Sequence, residues 1–125
     1  MMKKLMLILF VLLFCYSGSY AYVQSVPYQS ITAGGQNPNS NSMMIVNLND
    51  TCPFIRFDAE WSGGSEASGA AQAYSDILIG EYTYNSGTNS NSYRSEYNSS
   101  RYWNSITVYL NAYKCSGIAT LRWGW

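Results

Sequence analysis

The chain has 125 residues, with 7 basic side chains, 7 acidic ones and no histidine. This length makes one small domain. The low, balanced charge leaves no basic stripe for nucleic acid. The missing histidine removes the commonest general base, proton shuttle and zinc ligand.

The chain opens on Lys3 and Lys4, then an unbroken apolar run over residues 5–14, then Ser19-Tyr20-Ala21. That is the pattern of a signal peptide, 1–21, cut after Ala21. Ten apolar residues are too few to span a bilayer. The expected mature chain, 22–125, is a single secreted all-β domain of 104 residues with no stable membrane span, placed extracellularly, in a periplasm or on a cell surface. It keeps five basic and seven acidic residues, a net charge of −2. Cys15 leaves with the leader. Cys52 and Cys115 remain, and an even pair in an exported chain predicts a disulfide. It would close a 63-residue loop, adding about 4 kcal/mol on the chain-entropy model.

Residues 22–32 read as a first strand interrupted by Pro27, at an edge or with a bulge there, because proline cannot donate to a ladder. Residues 33–42, rich in Gly, Asn and Ser, read as a loop. Residues 43–49 (MMIVNLN) predict a short strand that is central or apolar on both faces. Residues 54–61 alternate: Ile55, Phe57, Ala59 and Trp61 on one face, Arg56, Asp58 and Glu60 on the other. Residues 62–64 read as a turn. Residues 65–76 read as irregular or strand-like, with Gly69 arguing against a helix. Residues 77–84 form the next expected strand, 85–92 a polar loop and 93–104 a short strand plus turn.

The organising strand is 105–115, SITVYLNAYKC. Ile106, Val108, Leu110 and Ala112 share the buried parity, and Thr107, Tyr109, Asn111 and Tyr113 the wet one. A Ser116-Gly117 turn would fold a last strand back as a hairpin, with Ala119, Leu121, Trp123 and Trp125 on one face. Both cysteines fall on the polar parity of the strands beside them, which predicts a bridge within one sheet. The expected fold is a small antiparallel β-sandwich or small barrel of six to eight strands.

No phosphate loop, nucleophile elbow or calcium loop is present. Asp58 and Glu60 lie two apart on one strand face, about 7 Å from each other. They read as a solvated face partnered by Arg56 rather than an acid–base pair. No catalytic residue, metal or cofactor is expected, and the chain is read as a non-enzyme. The segment 82–103 interleaves aromatics with Asn, Ser and Gly, the composition of a recognition surface. Tyr84, Tyr93, Tyr97, Tyr102 and Trp103 are its candidate ligand-binding residues. The expected function is a secreted, non-enzymatic, carbohydrate-binding module for an extracellular glycan or a cell-surface protein partner. The alternatives are a self-associating structural subunit of a fibre, coat or matrix, and a small secreted toxin or its binding subunit.

Overall fold

The computed structural model describes residues 27–34 and 38–124. The expected signal peptide with its cleavage site lies outside the described residues, as does Trp125. Every element among the described residues is a strand: β1 (Tyr28–Ala33), β2 (Asn39–Cys52), β3 (Phe54–Tyr74), β4 (Leu78–Asn85), β5 (Ser92–Tyr97) and β6 (Arg101–Gly124). All six belong to one antiparallel sheet.

Two long strands, β3 and β6, carry the rest. They pair from Phe54↔Gly124 to Tyr74↔Thr107, with one break in register between Gly63 and Ser68. At that break four residues, 64–67, stand opposite the single residue Lys114. An unequal count of this kind bends and twists a strand pair. On one side of the corner the order is β1-β6-β3-β5, and on the other it is β2-β6-β3-β4. The two halves face each other across the core. Trp61 of the first half stacks on Tyr84 of the second, ring centroids 5.3 Å apart. Its indole N–H donates to the Asn111 carbonyl at 2.8 Å.

Period-two patterning sets the core. Ile55, Phe57, Ala59 and Trp61 from β3 and Ile106, Val108, Leu110 and Ala112 from β6 are all buried, and Arg56, Asp58, Glu60, Thr107, Tyr109 and Asn111 face outward. The expected turns at 62–64 and 116–117 are bends inside continuous strands, so the last segment runs on as β6 and does not fold back as a hairpin. The buried positions of β6 are even from Ile106 to Ala112 and odd at Gly117, Ala119 and Leu121, with Thr120 also buried. The switch occurs at Lys114, which has φ +53°. One left-handed residue is enough to turn the other face of a strand inward. Opposite the next residue, Cys115, Gly63 has no Cβ, and one placed there would lie 2.4 Å from the Cys115 Cβ.

The expected disulfide is absent: Cys52 and Cys115 are free thiols. Cys52 pairs with Arg101 at the open end of the molecule, and Cys115 pairs with Gly63 at the corner. The run from Phe54 to Gly63 along β3 separates them by about 30 Å, against a limit of about 7 Å between bridged Cα atoms. Neither cysteine sits as the parity of the neighbouring strand predicts, for two reasons. Cys52 ends β2 and is cut off from β3 by Pro53, so it shares the inward parity of Val46 instead. Cys115 lies within the corner, where parity changes. Each sulfur has a backbone acceptor. Cys52 Sγ donates to Gly124 O at 2.9 Å and Phe54 O at 3.1 Å, and Cys115 Sγ donates to Ser68 O at 3.3 Å.

Two further elements differ from expectation. The run 43–49 lies inside a 14-residue strand that pairs with β6 alone. It is therefore an edge, with Met43 and Ile45 64% and 54% exposed and only Val46 fully buried. Residues 65–74 complete β3, and Ser75 and Asp76 lie just past its end. Gly69 sits within β3 because the Trp61 ring crosses it: a Cβ would lie 2.3 Å from the indole nitrogen.

Candidate functional site: an uncharged tyrosine–asparagine face

Of the five aromatics singled out in the sequence, Tyr84 and Trp103 are 5% and 1% exposed. They offer no ring face to a ligand. Tyr93 and Tyr97 are half-buried and pack against the core, Tyr93 edge-on to Phe57 and Tyr97 edge-on to Trp103. Tyr102 alone is open, at 58%. The five do not share one face.

The outer surfaces of the two halves differ in charge. On the first half, cross-strand rows read Tyr28–Arg122–Arg56–Glu96, then Ser30–Thr120–Asp58–Arg94, then Thr32–Ile118–Glu60–Ser92. Asp58 accepts from Arg56 Nε at 2.8 Å and Arg94 Nε at 2.6 Å. Partial burial pushes its carboxyl up, but the bonds and charges of the two guanidinium groups outweigh that and hold it below the ordinary range. A general acid needs the opposite shift. Arg122 lies over the Tyr28 ring, 5.0 Å from its centroid.

The second half carries no charge on the outward residues of β2 from Asn39 to Asn47, of β6 from Ser105 to Tyr113 or of β3 from Ser68 to Tyr74. Its outward residues are Asn39, Asn41, Met43, Ile45 and Asn47 on β2, Ser105, Thr107, Tyr109, Asn111 and Tyr113 on β6, and Ser68, Ala70, Gln72 and Tyr74 on β3. Glu81 of β4, opposite Gln72, stands at the far edge. Hydrogen bonds fix the polar groups. Asn41 Oδ1 accepts from Tyr109 Oη and from Asn111 Nδ2, both at 2.7 Å. Asn111 Nδ2 also donates to Asn39 Oδ1 at 2.7 Å. Asn111 is held from behind as well, because its carbonyl takes the Trp61 indole N–H.

Tyr113, Tyr109 and Tyr74 run diagonally over four outward rows, from Tyr113 to the row of Thr107, a track of about 20 Å. It ends in a depression of about 450 Å³ lined by Tyr74, Ser75, Asp76, Arg101, Tyr102, Asn104, Ser105 and Thr107. Arg101 Nη2 donates to Asp76 Oδ2 at 2.5 Å, so the only two charges there neutralise one another. That hydrogen bond holds the Asp76 carboxyl below its ordinary range. Tyr102 is thus the one sequence-predicted residue that joins this surface. Tyr109, Asn111 and Tyr113 carry the wet parity of 105–115, an alternation that marks an outward face but names no ligand. Asn39 and Asn41 were hidden in a supposed loop, since nothing local shows that residues 39–42 pair with 110–113.

No protein-family model matches the chain, and no curated protein matches it. Among solved structures, the chain is similar to the enzymatically active domain of tailspike protein 4 from bacteriophage CBA120. The TM-score is 0.41 and the identity 13%, over 79% of this chain and 18% of that one.

Proposed function

We propose that the protein is an exported, non-enzymatic binding module that takes an extended, uncharged glycan along the face formed by β2, β6 and β3. The observation that carries this reading is the hydrogen-bonded grid of Asn39, Asn41, Asn111 and Tyr109, flanked by the open rings of Tyr113 and Tyr74. Amides already fixed by one another lose little freedom on binding. Tyrosine rings give rigid, amphipathic contact area. A face without charge suits a ligand without charge, since an ionic partner would lose its hydration for no counter-ion. The track is longer than a single sugar, which favours a chain.

Affinity electrophoresis through gels containing neutral polysaccharides, with a glycan array beside it, tests the reading. Retention should be insensitive to salt. The double substitution Tyr74→Ala and Tyr113→Ala should weaken it about thirtyfold, the loss of roughly 2 kcal/mol expected of an aromatic anchor. Retention by no neutral polysaccharide, or equal retention of the variant, would refute it.

One observation favours a second reading, self-association. The outer edge of β2 is 14 residues long and carries a single charge, Asp50. Bare edges of this kind pair with other strands. Sedimentation at rising concentration distinguishes the two, because a glycan module stays monomeric and an assembling subunit does not.

A further inference from the structure

At the opposite end of the molecule, where β1 stops and β2 begins beside the corner, lies a groove of about 760 Å³. That volume is within the range of small-molecule sites. Its chemistry differs from that of the tyrosine face. Five hydroxyl side chains line it: Thr32, Ser40, Ser42, Ser62 and Ser116. Ile118, 43% exposed, supplies an open apolar patch. Glu60 is the one ionisable lining residue. It is exposed and has no ion pair or hydrogen-bond partner among the described residues.

The nearby charges do not neutralise it. On its own strand the next outward residue is Asp58, of like sign. Across from it stand Ser92 on β5 and Ile118 on β6. Arg94, one outward position further along β5, is bonded through Nε to Asp58. The groove therefore combines one unpaired negative charge with several hydroxyls and one apolar surface. Ser42 is fixed in place, donating to the Thr32 carbonyl at 2.5 Å.

We infer that this groove is a second binding site, for a hydroxylated primary amine of the amino-sugar class. The ammonium pairs with Glu60, the ligand hydroxyls exchange hydrogen bonds with the serine and threonine side chains, and the C–H face of the ring lies on Ile118. An ammonium donating to an unpaired carboxylate is a charge-assisted bond, stronger than a neutral one. Nothing in this inference depends on the tyrosine face, which lies on the other surface of the molecule.

The test is amide chemical-shift mapping with glucosamine oligomers, their N-acetylated counterparts and Nα-acetyl-lysine amide. Glucosamine oligomers should shift the amides of Thr32, Glu60, Ser62 and Ser116, and should bind about tenfold more tightly than the N-acetylated forms. Glu60→Gln should abolish that preference, and Ile118→Lys should weaken the amine further. Shifts confined to the tyrosine face, equal binding of acetylated and free amines, or a preference that survives Glu60→Gln would each overturn the site. Lysine amide binding as tightly as the amino sugar would overturn the ligand class, since the hydroxyls would then contribute nothing.

Discussion

At Gly69 the absence of a side chain lets a core tryptophan reach the neighbouring strand. The Trp61 indole passes over Gly69 to the Asn111 carbonyl. Gly69→Ala should therefore cost about 3 kcal/mol, combining overpacking with a strained buried hydrogen bond. Trp61→Phe keeps most of the ring but removes that buried hydrogen bond, for about 1 kcal/mol. Urea unfolding measures both. A second residue-scale effect belongs to Asp58. Its native carboxyl titrates below the ordinary value of 3.8 because Arg56 and Arg94 bond to the charged form. The unfolded chain thus takes up a proton before the native one does. The stabilisation is complete above that value and fades as pH falls through the lower native value. Asp58→Asn should cost about 1 kcal/mol at pH 7. The gap between variant and parent should close in acid, below the pH at which the native carboxyl is protonated.

Single backbone irregularities decide how the elements run. β2 has its own bulge, where Leu48 and Asn49 oppose Asn104, and Asn49 takes φ +49°. Asparagine tolerates that conformation and a β-branched residue does not. Asn49→Val should lower stability by about 1–2 kcal/mol, while Asn49→Gly should change it by less than about 0.5 kcal/mol. Urea midpoints would show the contrast. The same irregularities mark the limit of what the sequence disclosed. The alternation in 54–61 and 105–112 was legible because each of those stretches buries one face throughout. The corner was not, because Lys114 gives no glycine-like sign of its left-handed backbone. The candidate aromatics misled for another reason. Asn- and Ser-rich neighbours make a tyrosine look exposed, yet several polar atoms in this region find partners inside the protein. Trp103 Nε1 donates to Cys52 O at 3.2 Å, and Tyr82 Oη donates to Ser90 O at 2.7 Å. Tyr93 Oη accepts the Glu81 N–H at 3.3 Å. An aromatic whose polar tip is satisfied internally can be buried whatever its flanks.

For the whole molecule, the consequence of sharing β3 and β6 is that neither half can open alone. Each contributes one face of the same core, so the described domain should unfold as one cooperative unit. A covalent clamp is not part of that arrangement, and the two thiols report on it separately. Cys115 is half-exposed at the corner, whereas Cys52 is 1% exposed and donates to Gly124 O and Phe54 O where the ends of β3 and β6 meet. Adding a reductant should leave the melting temperature unchanged within about 1 °C, since no loop-closing bond is there to lose. In native buffer an alkylating reagent should modify Cys115 at least about a hundredfold faster than Cys52, the ratio set by the rare opening needed to expose a buried thiol. Peptide mass mapping reads the two sites independently. Cys52 labelling should then accelerate with urea in step with global unfolding, because reaching its sulfur means parting the ends of both long strands. Labelling of Cys52 at low urea, ahead of the loss of tryptophan fluorescence, would show that the open end frays as a separate unit and that the two halves are less tightly coupled than their shared strands imply.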